Sequence, residues 1–266
     1  MDDWTPYLEA AREAARRAGT LLKRNVDESN RVFFKGEVNL VTDCDHASQE
    51  IIFDHLFRLY PRHDFLGEEG LTRETGSPFQ WIIDPLDGTT NFAHRFPIFC
   101  VSIGLRHEED IVCGVVHDPT REEEFWAVKG GGAFLNGKPL SVSKTAELGR
   151  SLLATGFPYD IRETGDNIAH FCEFIVRAQA VRRCGSAALD LCYVACGRFD
   201  GFWEKKLHPW DVAAAGLIVR EAGGLTTDFL GRPMRTTFSD VLASNGIIHD
   251  QMKATLGLEP SKGGKT

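Results

Sequence analysis

The 266-residue sequence predicts a mixed α/β fold, with an α+β half over residues 1–150 and an α/β half over residues 151–266. Two helix-period segments come first, from Trp4 to about Asn25 and from Asp43 or Asp45 to Pro61. Short β-type runs then crowd the stretch from Phe65 to Val128, and beyond residue 150 strand-like and helix-like segments alternate. A run of strands after helices marks α+β layering, whereas alternation marks α/β organisation.

Each element has a local cause. Leu8, Ala11, Ala15, Ala18 and Leu22 recur at helical spacing, with Glu and Arg on the other side. Lys35-Gly36 breaks the pattern before Asn39-Leu40-Val41-Thr42. In the second helix Asp43 or Asp45 is the expected N-cap, Ile51, Ile52, His55, Leu56 and Leu59 the apolar face, and Pro61 the stop. Trp81-Ile82-Ile83, Ile98 to Leu105, Ile111 to Val116 and Glu124 to Val128 are strand candidates. Gly130-Gly131-Gly132 is a turn, and Asn136-Gly137 a strong hairpin signal. In the second half, strands at Leu152 to Thr155, Val181 to Cys184 and Gly201 to Trp203 alternate with helices at Asn167 to Arg177, Ala187 to Cys196 and Asp211 to Glu221. Gly223-Gly224 ends the last of these. The tail, 260–266, is rich in Gly, Lys and Ser and is expected to be disordered.

Composition excludes some functions. Hydrophobic content of 42% and charged content of 26% are those of a globular protein. A net charge of −8 argues against a generic nucleic-acid or anionic-membrane surface, which would reward excess Lys and Arg. It does not exclude a phosphorylated small substrate, because divalent cations reverse the local sign of a carboxylate site. The seven cysteines form no CxxC pair or zinc spacing, the start carries acid rather than a leader, and no apolar run approaches a membrane span. The expectation is a cytoplasmic protein with reduced thiols. His94, His117 and His208 show no metal-ligand spacing and are expected to be structural. Trp203 and Trp210 are expected in the core, and Cys172, Cys184, Cys192 and Cys196 as small buried side chains.

The chemistry concentrates in Trp81-Ile82-Ile83-Asp84-Pro85-Leu86-Asp87-Gly88-Thr89-Thr90-Asn91-Phe92. Three apolar residues lead into Asp84, Pro85 is expected to stop the strand, and Asp87 follows on a tight loop. Gly88 permits an unusual dihedral or a close backbone approach. Two carboxylates so close repel unless a hard cation lies between them, and Mg²⁺ is held by a few carboxylates with phosphate oxygens. An isolated Asp-Pro-x-Asp-Gly is more often an ordinary turn. The preceding strand and the string through Asn91-Phe92 favour a site.

That string resembles the first signature of the inositol monophosphatase family, within the lithium-sensitive, magnesium-dependent phosphatase superfamily. Trp210-Asp211-Val212-Ala213-Ala214-Ala215-Gly216, followed by Glu221-Ala222-Gly223-Gly224, resembles a second signature, and Gly67-Glu68-Glu69 a third element. Order and spacing agree from Lys35 to Ala243-Ser244-Asn245. The resemblance implies the layered αβαβα sugar-phosphatase fold and a homodimer. It further implies two or three Mg²⁺ ions per site: Glu68, Asp84 and the Leu86 carbonyl at the first, and Asp84, Asp87 and Asp211 at the second. Thr89 would position the attacking water with support from Asp45, while Asp43 is read as a cap. Glu68 with waters would hold any third ion. Gly88 and Thr89 would face the phosphate, and Gly185, Ser186, Ala187 and Glu204 the polyol ring, with Asp87, Asp211 and the segment Gly156-Phe157-Pro158 near the same end. Taken singly, Asp211 would be a helix N-cap, Glu68-Glu69 a solvated pair and Glu204 a surface charge.

The expected function is hydrolysis of inositol monophosphate or a similar sugar or polyol phosphate by metal-activated water. Lys205-Lys206, between Glu204 and the second signature, could attract an anionic substrate or simply face solvent. Gly156-Phe157-Pro158-Tyr159-Asp160 resembles bacterial members, which points to broad specificity. Two alternatives stand beside this. One is a superfamily phosphatase for histidinol phosphate, fructose 1,6-bisphosphate or a 3′-phosphoadenosine nucleotide, against which Thr90-Asn91-Phe92 speaks. The other is a regulatory binding protein on the same fold, against which the retention of Glu68, Asp84, Asp87, Thr89 and Asp211 speaks.

Overall fold

The computed structural model describes residues 3–26, 32–35, 39–234 and 239–257. The break expected at Gly36 and the tail 260–266 lie outside them. Helix α1 (Thr5–Asn25) precedes a small antiparallel pair, β1 (Val32–Lys35) and β2 (Asn39–Thr42), and helix α2 (Asp43–Leu59). Next come β3 (Asp64–Gly67), β4 (Thr72–Arg73), β5 (Phe79–Asp87), the short helix α3 (Thr89–Ala93), β6 (Cys100–His107) and β7 (Asp110–Asp118). With β8 (Glu123–Val128), β9 (Gly132–Leu135) and β10 (Lys138–Pro139), these strands form an eight-stranded sheet ordered β10-β9-β8-β7-β6-β5-β3-β4. Asn136 and Gly137, both at positive φ, close the β9-β10 hairpin as their sequence demands.

The remaining chain gives β11 (Leu152–Thr155), α4 (Ile161–Thr164), α5 (Ile168–Ile175), β12 (Ala180–Arg182), α6 (Ala187–Ala195), β13 (Gly201–Glu204) and α7 (Pro209–Glu221). It finishes with β14 (Leu225–Thr227), β15 (Val241–Ser244) and α8 (His249–Leu256). The five-stranded sheet is ordered β12-β11-β13-β15-β14, parallel across β12-β11-β13 and antiparallel from β13 onward.

Five layers result. Helices α1 and α2 cover one face of the large sheet, α6 and α7 lie between the two sheets, and α5 and α8 cover the far face of the small one. Three apolar clusters fill the gaps: Leu22, Ile52, Phe65 and Trp81 under α1 and α2; Val116, Leu191, Phe202 and Ile218 in the middle; Phe174, Trp203 and Met252 outside. Arg12 and Arg16 of α1 fasten the outer layer by donating to the buried Glu124 at 2.6 and 2.7 Å.

The middle layer is thin because its residues are small. A Cβ added at Gly114 of β7 would lie 2.8 Å from the Ala214 Cα, and one at Gly104 of β6 would lie 3.2 Å from the Ala213 Cβ. Glycines on the sheet and alanines on α7 thus let the two backbones approach closely. This contact places the N-terminus of α7, and Asp211 with it, over the end of β5.

Several expectations need correction. Pro85 does not stop the strand: β5 continues to Asp87 through a register shift against β6, with Asp84 opposite Ser102 and Asp87 opposite Cys100. The extra residue is a bulge, the arrangement that accommodates a proline within a sheet. Leu59 is exposed rather than on the buried face of α2, whose core residues are Ile52 and Leu56. Asp43 and Asp45 both lie inside the first turn of α2, so neither is the residue that caps it. Cys172 is exposed, whereas Cys192 is buried and Cys196 partly so.

Candidate active site

Strands β3 and β5 and helix α7 deliver acids to one cavity of about 350 Å³. The two strands run parallel with Gly67 opposite Ile83, so the next residues, Glu68 and Asp84, stand side by side at the end of β3. The Glu68 N–H donates to the Ile83 carbonyl at 3.3 Å. Asp87 follows the bulge, and Asp211 comes from the first turn of α7. Glu68, Asp84, Leu86, Asp87, Gly88, Thr89 and Asp211 all line the cavity. So do Gly185, Ser186, Ala187 and Glu204, together with Gly156, Phe157 and Pro158. Asp45 does not: it is buried in α2, whose Ser48 hydroxyl donates to the Pro85 carbonyl at 2.7 Å.

Local hydrogen bonds fix the loop. One Asp84 carboxylate oxygen accepts from the Leu86 N–H at 3.0 Å, and the Thr89 hydroxyl donates to the Leu86 carbonyl at 3.1 Å. Asp87 is gripped by the start of α6, accepting from the Ser186 hydroxyl at 2.6 Å and the Ala188 N–H at 2.8 Å. Ser186 is itself the N-cap of α6 and accepts from the Leu189 N–H at 3.3 Å. Gly88 caps α3 at φ 95, where a Cβ would come within 2.9 Å of the Ile98 carbonyl oxygen. Only glycine meets both conditions.

Asp211 is not the N-cap of α7. His208 is, and Asp211 stands three residues on, its carboxylate accepting from the His208 N–H at 2.6 Å. The sequence reaches this geometry through Pro209, which occupies the first helical position without needing a donor partner. The His208 ring stacks on Trp210 at 4.8 Å, and both line the cavity, so Trp210 belongs to the site wall and not only to the core. Trp203 is fully buried and donates to Asn167 at 2.7 Å. His117 is largely enclosed, and burial lowers its pKa.

Electrostatically the site is starved of positive charge. Asp84 is 1% exposed. Its pKa is pushed well above the carboxylate range, first by burial and then by repulsion from Glu68, Asp87 and Asp211. Burial raises Asp87 against the Ser186 and Ala188 hydrogen bonds, and burial with Asp87 raises Asp211. The nearby lysines do not relieve this. Lys205 pairs with Asp166 at 2.7 Å, and Lys206 with Asp160 and Asp166 at 2.7 Å each. Among the described residues no three His, Cys, Asp or Glu side chains are gathered closely enough to hold an ion as they stand. The donor chemistry nonetheless fits a hard divalent cation: oxygen ligands, an adjacent carbonyl, and mutual repulsion that an ion would cancel.

The structure also adds residues that motif reasoning passed over. Asp190 of α6, Arg183 and Tyr159 line the same cavity. The signal for Asp190 was present, because it is the one acid within the otherwise apolar Ala187–Ala195 helix.

Comparison with known proteins agrees with this architecture. The sequence model of the inositol monophosphatase family matches residues 3–258. An inositol-1-monophosphatase from Synechocystis sp. is 44% identical over 97% of this chain and 91% of its own length. Nus factor SuhB of Escherichia coli is 42% identical over 94% of this chain and 96% of its own. The solved inositol monophosphatase from Anabaena (Nostoc) sp. superposes with a TM-score of 0.89 at 42% identity, covering 97% of this chain and 98% of that one. With the five layers, the signature acids and near-full-length matches in agreement, the chain belongs to the inositol monophosphatase family.

Proposed function

We propose that this phosphatase is magnesium-dependent and hydrolyses inositol monophosphate or a similar sugar or polyol phosphate. The observation that carries the reading is the convergence of Glu68 after β3, Asp84 and Asp87 of β5, and Asp211 of α7 on a cavity that also holds Glu204. Glu68, Asp84, the Leu86 carbonyl, Asp87 and Asp211 would hold two or three Mg²⁺ ions, whose charge and Lewis acidity serve phosphoryl transfer to water. Asp87 is kept in place by Ser186 and Ala188, and Asp211 by the His208 N–H. The Thr89 hydroxyl, anchored on the Leu86 carbonyl, offers its lone pairs to orient the attacking water. Asp45 acts indirectly, through the helix whose Ser48 braces the loop at Pro85. Gly88 and Thr89 stand at the phosphate end, while Gly185, Ser186, Ala187 and Glu204 face the polyol.

Replacing Asp84 by the near-isosteric Asn tests the reading. Magnesium-dependent phosphate release from inositol 1-phosphate is expected to fall by at least a hundredfold, an order-of-magnitude figure for lost transition-state charge stabilisation. The fold should persist. Full turnover in that variant, or in the wild-type chain with excess chelator, would refute the metal assignment. A regulatory role beside catalysis is favoured by one observation, the E. coli relative described as a Nus factor.

A further inference from the structure

Asp190 is a buried acid whose carboxyl is only partly satisfied. It is 1% exposed, yet it lines the cavity beside Glu204 and Arg183. Its Oδ1 has no hydrogen-bond partner among the described residues. Asp190 sits in the first turn of α6, where the helix dipole favours an acid, but Ser186 already caps that end and every neighbour from Ala187 to Ala195 is apolar or small. A buried carboxyl oxygen left without a partner is penalised, so the folded chain tolerates a cost at this position.

The neighbourhood indicates what would relieve it. Glu204 ends β13 at 9% exposure, with its carboxylate packed against Gly156, where a Cβ would collide with it. After burial, the foremost repulsion on Glu204 comes from Asp190, ahead of Asp211 and Asp87. Asp190 is likewise raised by its burial and by Asp87, against a hydrogen bond from the Cys184 thiol, and Arg183 offsets part of the charge of both acids. The two carboxyls are therefore near enough to repel, yet no hydrogen bond joins them. Two such acids share a proton most readily through a group that both donates and accepts. A hydroxyl does this: it donates to the carboxylate and accepts from the protonated acid.

Resting on the proposed polyol-phosphatase reading, we propose that Asp190 is a specificity-determining residue. With Glu204 it clamps one substrate hydroxyl at the end of the cavity away from Glu68 and Asp84. Glu204 alone could accept from a hydroxyl, but only the pair also satisfies the hydroxyl oxygen. The clamp selects phosphate esters of polyols over esters that carry no hydroxyl.

The test uses the full chain with magnesium and two substrates, inositol 1-phosphate and p-nitrophenyl phosphate, in wild type, Asp190→Leu and Asp190→Ala. Discrimination, the ratio of the two kcat/KM values, is expected to fall about tenfold or more in the variants, mainly through a higher KM for inositol 1-phosphate. Thermal stability without substrate is expected to hold or rise in Asp190→Leu, because an unsatisfied buried carboxyl has been removed. An unchanged ratio overturns the inference, as does a parallel loss on both substrates with a lower Tm, or failure of both variants to fold. If the wild-type chain hydrolyses neither ester, the broader reading of function fails. If it hydrolyses both and the ratio does not move, only the clamp fails.

Discussion

The contact between α7 and the large sheet should be the most sensitive point between packing and catalysis. In Gly114→Ala the new methyl would lie 2.8 Å from both the Ala214 Cα and the Ala214 carbonyl oxygen. Carbon–carbon contacts settle at about 3.5–4.0 Å, so relief needs a shift of roughly 0.7 Å or more. Both contact atoms are backbone, so no side chain can rotate away and the helix itself must move. Overpacking of this kind costs about 1–3 kcal/mol. Reduced freedom of the unfolded chain would return only about 0.4–1 kcal/mol. Asp211 lies three residues before Ala214, about 4.5 Å along the same helix, and so moves with it. A misplacement near 1 Å at a reacting centre can cost about a hundredfold in rate. The net cost of about 0–2.6 kcal/mol should thus lower Tm by up to roughly 10 °C, with about a ten- to hundredfold loss in kcat. Differential scanning fluorimetry and phosphate release measure the two. Gly149→Ala is the control, since its Cβ meets only an ordinary 3.7 Å contact with the Arg177 carbonyl oxygen. Wild-type Tm and kcat in Gly114→Ala would show that close backbone approach does not position Asp211.

Two other outcomes follow from the same structure. If the acid cluster holds magnesium, the ion at a hundred times its Kd should stabilise the chain by about 2.7 kcal/mol per site, a rise of roughly 5–11 °C that chelator reverses and Asp84→Asn abolishes; equal shifts in wild type and variant would contradict this. His63, stacked on Phe79 at 4.6 Å and on Tyr60 at 4.9 Å, has its pKa lowered by burial from 6.5 to about 4. Between those values the unfolded chain binds the extra proton, so stability is whole above pH 6.5 and declines as pH falls towards 4, by at most about 3 kcal/mol. His63→Phe should flatten that part of the pH–stability curve in denaturant titrations, and an unchanged slope would exclude His63 as its source.

Much of this fold was legible in the chain. The periodicities of α1, β6, β7 and α7 are strong because each buries one face or both, and turn signals such as Asn136-Gly137 carry their own dihedral requirement. The boundaries that went astray did so where tertiary packing overrode local preference. Pro85 would end an isolated strand, but a bulge and the Ser48 hydrogen bond hold it within β5. Leu59 has helical spacing but falls where α2 runs out of neighbours to pack against.

By itself the sequence determined where acids follow an apolar run and where glycine permits an unusual turn, because a dihedral, a hairpin turn or a charge is a property of a residue and its immediate neighbours. Only the tertiary structure decided that Glu68 and Asp84 stand side by side, that Ser186 holds Asp87 across 99 positions of sequence, and that Asp190 and Glu204 line one cavity. Those relations are set by the parallel pairing of β3 with β5 and by small residues that let helices press onto sheets. Repulsion and burial depend on distance through space, and spacing along the chain does not encode it.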